Sequence, residues 1–142
     1  MKKIWFKAFD LIHSDYMMKN TIMEQIGIKI TGFTNDSITG TMPVDKRTHQ
    51  PYGILHGGAS VVLAETLGSL AAQLTVDDSK YQTVGLEVNA NHIKSVRSGI
   101  VTGIATPIHL GKKTQVWGIK ITDESNVLIC ISRLTMAVIE KR

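Results

Sequence analysis

The sequence predicts an α+β fold in which an antiparallel six-stranded sheet wraps around one long buried central helix, and three features of the 142-residue chain carry that expectation. Residues 57–76 are apolar around nearly the whole helical circumference and hold one charge, Glu65, so the helix they form should be buried on all sides. Four later runs, 83–93, 99–108, 114–122 and 127–139, are rich in β-branched residues and separated by turn clusters, the pattern of an antiparallel meander. An earlier hairpin supplies two more strands, and the apolar face of such a sheet needs a layer to cover it, which the helix provides.

Taken in order, Ile4, Trp5, Ala8, Phe9, Leu11 and Ile12 recur at helical spacing among Lys2, Lys3, Lys7 and Asp10, which reads as a short amphipathic N-terminal helix. A helical turn follows over 22–26, with Thr21 and Glu24 as a capping box and Gly27 as its stop, so that 1–26 forms an N-terminal helical segment. From Gly27 the period becomes two: Ile28, Ile30 and Gly32 alternate with Lys29, Thr31 and Phe33, and Asn35-Asp36 turns the chain into a second strand, Ser37 to Val44. A polar loop from Asp45 to Leu55, with Pro51 and Gly53, leads to His56-Gly57-Gly58, where the main helix starts; Asp77-Asp78-Ser79-Lys80 ends it. Breaks at 95–99, 109–111 and 123–126 separate the remaining strands. There is no internal repeat, and 1–142 reads as one domain.

Hydrophobic residues at 43% and charged residues at 20% are the composition of a globular chain, not a disordered one. The net charge of +4 is scattered, which argues against a nucleic-acid surface but suits a phosphate-bearing small molecule. A single cysteine, Cys130, excludes an internal disulfide; within Val127-Leu-Ile-Cys-Ile131 it reads as a small buried strand residue. The start mimics a signal peptide, but Lys7 and Asp10 interrupt its apolar stretch, and no segment is long enough for a bilayer, so a cytoplasmic protein without a membrane partner is expected.

Glu65 is the most informative residue, because a lone carboxylate in an apolar helical run is costly to bury unless it has a partner or a function. Ser69 lies four residues on and projects from the same face. Gly57 and Gly58 open the helix, where free amides and the positive end of the dipole suit an oxyanion; a tight loop-to-helix turn would use the same glycines. His56 orients that loop, stays as a satisfied core histidine or binds a metal, and Gln50 carries an amide able to donate to a carbonyl. The spacing of His49, His56 and Glu65 matches no zinc pattern. No phosphate loop, nucleophile elbow or dinucleotide fingerprint is present, which sets aside nucleotide hydrolysis, serine-hydrolase and Rossmann chemistry.

The run Gln50-Pro-Tyr-Gly-Ile-Leu-His56-Gly-Gly-Ala-Ser-Val-Val-Leu-Ala-Glu65-Thr-Leu-Gly-Ser69 resembles the active-site segment of hotdog-fold thioesterases. The closest branch is the one that holds 1,4-dihydroxy-2-naphthoyl-CoA hydrolase of menaquinone synthesis and the proofreading thioesterase of enterobactin synthesis. The similarity continues through Val84-Gly-Leu-Glu-Val-Asn-Ala-Asn-His92, Pro107-Ile-His-Leu-Gly111, Gln115-Val-Trp117 and Ser132-Arg-Leu-Thr135, and covers nearly everything after Gly27. The resemblance implies hydrolysis of an acyl-CoA, aromatic by preference, with Glu65 as nucleophile or general base and the Gly57 amide polarising the thioester carbonyl. It further implies that Gln50 and His56 position the thioester and that Ser69 helps place the nucleophile or water. Coenzyme A contacts are implied at Val84, at Asn91, His92, Ile93 and Lys94, and at Ile108, His109, Leu110, Gly111, Lys112 and Lys113. No separate cofactor is needed, since CoA is part of substrate and product. The family's assembly implies a homotetramer whose active sites are each shared by two chains. Medium-chain acyl-CoA, aryl carrier-protein thioesters and a non-catalytic acyl-CoA sensor are the alternatives; a dehydratase would need motifs the chain lacks.

Overall fold

Period-two alternation places Val101, Gly103 and Ala105 of one strand, Trp117, Ile119 and Ile121 of the next, and Leu134 and Met136 of a third on a single buried face. A helix lies on that face, contributing Leu63, Ala64, Leu67 and Ala71, all fully buried. The computed structural model describes residues 2–142; Met1, the first residue of the expected N-terminal segment, lies outside them. Its elements are α1 (Leu11–Met17), α2 (Ile22–Gln25), β1 (Lys29–Phe33), β2 (Ile38–Pro43), α3 (Gly57–Leu74), β3 (Tyr81–His92), β4 (Ile100–Leu110), β5 (Thr114–Thr122) and β6 (Leu128–Glu140). The six strands form one antiparallel sheet around α3, the hotdog arrangement, as the sequence predicts. Helix and sheet approach closely where a side chain is missing: an ideal Cβ on Gly103 would stand 2.8 Å from a Leu67 methyl, and one on Gly68 2.5 Å from a Leu134 methyl. No helix of the described residues is long and apolar enough to cross a membrane.

Four details depart from expectation. The sheet order is β1-β2-β4-β5-β6-β3, so only β4, β5 and β6 form a meander, and β3 pairs with β6 at the far edge. Residues 93–99 bridge the three strand spacings from β3 to β4, ~14 Å in all. The crossing segment is tied down along its path: Ile93 N donates to Ile129 O at 2.7 Å, Leu55 N to Val96 O at 2.8 Å and Val44 N to Gly99 O at 2.8 Å.

Second, residues 4–10 are not helical. The Trp5 ring is buried between Phe33 and Trp117 and donates to Thr34 O at 2.7 Å, while Ile4 N and Phe6 N donate to Asn35 O and Leu74 O. These long-range partners outweigh the local period, and the helix starts at Leu11 instead, where Asp10 caps it by accepting from Ile12 N at 2.9 Å.

Third, the capping box is displaced: Thr21 donates to Met18 O and makes no cap bond, while Glu24 reaches back to Asn20 N at 2.7 Å. Gly27 does stop the turn, at φ +76°.

Last, α3 is two-sided. Val61, Val62, Glu65, Thr66, Ser69 and Leu70 are only partly buried, because the sheet curls around one side of the helix and α1, α2 and the start of β3 cover the other loosely.

Candidate active site

The loop from Asp45 to Leu55 is braced before it reaches α3. Arg47 grips Asp45 with two nitrogens and holds its carboxyl at about 2, below the usual carboxylate value. Buried Thr48 donates to Pro43 O at 2.7 Å, and His56 N donates to Thr48 O at 2.8 Å. This brings Gln50, His56 and Gly57 around one open cavity of about 480 Å³, with Pro51 and Tyr52. His56 is the N-cap of α3: its Nδ1 accepts from Gly58 N at 2.8 Å. In the neutral ring that bond leaves the proton on Nε2, facing outward as a donor. Gln50 accepts from Tyr52 N through its carbonyl oxygen, which frees its side-chain amide to donate. The Gly57 amide, first of the helix, meets no backbone acceptor among the described residues. A Cβ at Gly57 would lie 2.6 Å from His92 Nε2, so the missing side chain gives the His92 ring its place against the helix start. Behind Gly57 a second cavity of about 270 Å³ is lined by Gln50, His92, Ile93 and Lys94.

Glu65 belongs to a different cavity, of about 550 Å³, lying between α3, α1, α2 and the start of β3. Its wall is mostly apolar, with Met17, Met18, Met23 and Val62; Ser69 and Thr83 lie on the same lining. No hydrogen bond or ion pair to the Glu65 carboxylate is found among the described residues, so the structural alternative, an acid neutralised by a lysine or arginine of its own chain, does not apply. Ser69 shares the face, its hydroxyl 3.8 Å from Met136 Sδ. Partial exposure lowers the desolvation cost inferred from the helix pattern, because water still reaches the carboxylate.

Gly57 and Glu65 are eight residues apart on one helix, ~12 Å along its axis, and share no cavity. The residues implicated in coenzyme A contacts divide in the same way. Asn91, His92, Ile93 and Lys94 lie at the Gly57 end, whereas Val84 pairs with Ala137, which pairs with Thr114 beside the Gly111–Lys113 turn. Val138 N donates to Lys113 O at 2.9 Å, fixing that turn, with the end of β4 carrying Ile108, His109 and Leu110, near the start of β3. Val84 and Asn91 are thus ~23 Å apart along one strand. Among the described residues no group of three or more His, Cys, Asp or Glu could hold a metal ion.

Two residues on or beside the Glu65 cavity escape a reading of the sequence. Gly85 of β3 lies so close that a Cβ there would stand 3.0 Å from Glu65 Oε1, and Gln73, two turns beyond Glu65, ties α3 to β3. The available signal for Gln73 is its spacing, since 65, 69 and 73 fall on one helical face.

Residues 52–130, more than half of the chain, match the family model described as thioesterase superfamily; the span includes Gly57, Glu65 and Ser69 and stops short of Gln50. Among solved structures, a mutant of a thioesterase from Pseudomonas aeruginosa superposes with a TM-score of 0.96 at 51% identity, over 97% of this chain and 99% of that one. Among relatives, 1,4-dihydroxy-2-naphthoyl-CoA hydrolase of Escherichia coli is 46% identical over 96% of this chain and 99% of its own length. Proofreading thioesterase EntH of Cronobacter turicensis is also 46% identical, over 95% and 98%.

Proposed function

The chain belongs to the thioesterase superfamily and is a thioester hydrolase, and we propose that it cleaves an aromatic acyl-CoA, 1,4-dihydroxy-2-naphthoyl-CoA first, to free acid and CoA. The observation that carries this reading is an unpaired carboxylate, Glu65, on the wall of an apolar cavity large enough for a bicyclic aryl group. In the proposed reaction the thioester carbonyl oxygen accepts from the Gly57 amide, with Gln50 and His56 Nε2 as further donors. Glu65 attacks the carbonyl carbon or takes a proton from the water that does, and Ser69 helps place the attacking group. The C–S bond then breaks, and the CoA sulfur leaves as thiolate and takes up a proton; on the direct-attack route water then cleaves the acyl–Glu65 anhydride, which releases the free acid and restores the carboxylate.

Because ~12 Å of helix separates Gly57 from Glu65, the proposed site takes its carbonyl donors from one chain and its carboxylate from a second. The edge of β3 past Thr83 supports such pairing: it has no neighbouring strand of its own chain through His92 and exposes Val84 at 40% and Leu86 at 60%. The same pairing would join the Asn91–Lys94 group of one chain to the Ile108–Lys113 group of the other into one coenzyme A site. Outward-facing Ile100, Ile104, Ile108 and Ile131, each at least 40% exposed, give the sheet's back an apolar surface on which two dimers would form a tetramer. A CoA thioester as substrate goes with a cytoplasmic location and no resident cofactor.

An aryl thioester on a carrier protein is the second reading, supported by the likeness to a proofreading thioesterase. Free-thiol release from 1,4-dihydroxy-2-naphthoyl-, benzoyl-, hydroxybenzoyl- and medium-chain acyl-CoA tests the proposal, with Glu65→Ala alongside. One aromatic thioester should lead and Glu65→Ala should be inactive; equal, weak rates on all four CoA esters would favour the carrier-protein reading, and none at all a sensor.

A further inference from the structure

We propose that Gln73 is a positioning residue for Glu65: it holds the edge strand β3 so that Gly85 seats the carboxylate. The inference rests on the reading of Glu65 as the catalytic carboxylate. Gln73 Oε1 accepts from Thr83 N at 2.8 Å and from Thr83 Oγ1 at 3.1 Å, and its Nε2 donates to Tyr81 O at 3.4 Å. Alternate residues of a strand send their backbone polar groups to the same side, so Tyr81 and Thr83 present one edge, and the Thr83 amide given to Gln73 is not given to β6. The side chain therefore stands where a neighbouring strand would pair, on the sheet's last strand, which has β6 on one side only.

This clamp lies two residues before the point that matters. At Gly85 the ladder to β6 loses register, Gly85 facing Met136 and Glu87 facing Thr135, with Leu86 left over as a bulge. A bulged edge strand is weakly fixed by its own ladder, yet Gly85 is what the Glu65 carboxylate packs against, close enough that even a Cβ would displace Oε1. Among the described residues no hydrogen bond or ion pair holds the carboxylate, so β3 bears on it through this packing contact at Gly85. A shift of β3 by a fraction of an ångström passes directly to the catalytic oxygen, where misplacement of ~1 Å can cost about 100-fold in rate.

The test measures benzoyl-CoA hydrolysis and amide exchange at Thr83 in wild type, Glu65→Ala, Gln73→Leu and Gln73→Glu. Gln73→Leu removes the clamp and is expected to lower kcat by about 10-fold or more with KM within about 3-fold, while Thr83 exchange accelerates. Gln73→Glu keeps the acceptor for both Thr83 donors but loses the donor to Tyr81 O, and should recover part of the kcat and protection that Gln73→Leu loses, a rescue that general destabilisation would not give. If Gln73→Leu does not fold, Gly85→Ala, which pushes the carboxylate directly, must show the same kcat loss at unchanged KM. Unchanged kcat in a folded Gln73→Leu or, in its place, Gly85→Ala overturns the proposal, as does a rise in KM at constant kcat, which would make Gln73 an acyl-binding residue. Normal turnover by Glu65→Ala would instead overturn the parent reading, so the two failures are distinct.

Discussion

The two ends of the catalytic half of α3 differ in kind. At its start, a braced loop, a capping histidine and a glycine amide gather hydrogen-bond donors, while the acceptors of Gln50 and His56 are taken up by Tyr52 N and Gly58 N. Two turns on, Glu65 offers an acceptor with no donor, in an apolar cavity. One end is arranged for negative charge to develop against it, the other to supply that charge. A rigid helix keeps them ~12 Å apart, which is why the proposed site draws its two halves from two chains.

Mutations that break this contrast should rank by how directly they touch it. Glu65→Gln keeps shape and removes the charge, and is expected to lower kcat by about 10²–10⁴-fold with the fold intact by circular dichroism. Gln50→Ala removes one donor from the other end and should cost about 10²-fold in kcat; an effect confined to KM would show that the amide only binds substrate. Leu67→Ala acts on both ends at once, since Leu67 is fully buried against Gly40 and Gly103, and should destabilise by about 2–5 kcal/mol in urea unfolding while kcat of the folded fraction persists.

The smallest effect belongs to the loop brace. Arg47 lowers Asp45 from 3.8 to about 2, so the ion pair's contribution is fully present above the ordinary carboxylate range and is lost as pH falls through about 2. Asp45→Asn should therefore remove a small, salt-sensitive increment at neutral pH, and its acid-unfolding curve should converge with that of wild type near the low end; an effect that grows on acidification would contradict the assignment.

Much of this contrast is legible in the sequence, because a helix with one charge and a glycine start are local patterns. So are the strands, whose observed ends shift by only a residue or two. What is not legible depends on distant partners. Period two says that β3 is a strand but not which strand lies beside it, and adjacency in sequence suggested β4 where the crossover puts β6. Helical spacing at Ile4 to Ile12 is real, yet Trp5 gains more from Phe33, Trp117 and Thr34 than a first helical turn offers. The separation of Gly57 from Glu65 is countable from the numbering, whereas the tie of Gln73 to β3 is hidden because two of its three partners are backbone atoms of Tyr81 and Thr83.

The most direct test of a site divided between two chains is complementation. Chains carrying Glu65→Ala and chains carrying Gln50→Ala, each nearly inactive alone, would be unfolded together and refolded as a mixture. A two-chain site predicts recovery to about a quarter of wild-type turnover, because half of the dimers are mixed and each has one intact site. A mixture no more active than its components would contradict it and return both halves of the chemistry to a single chain.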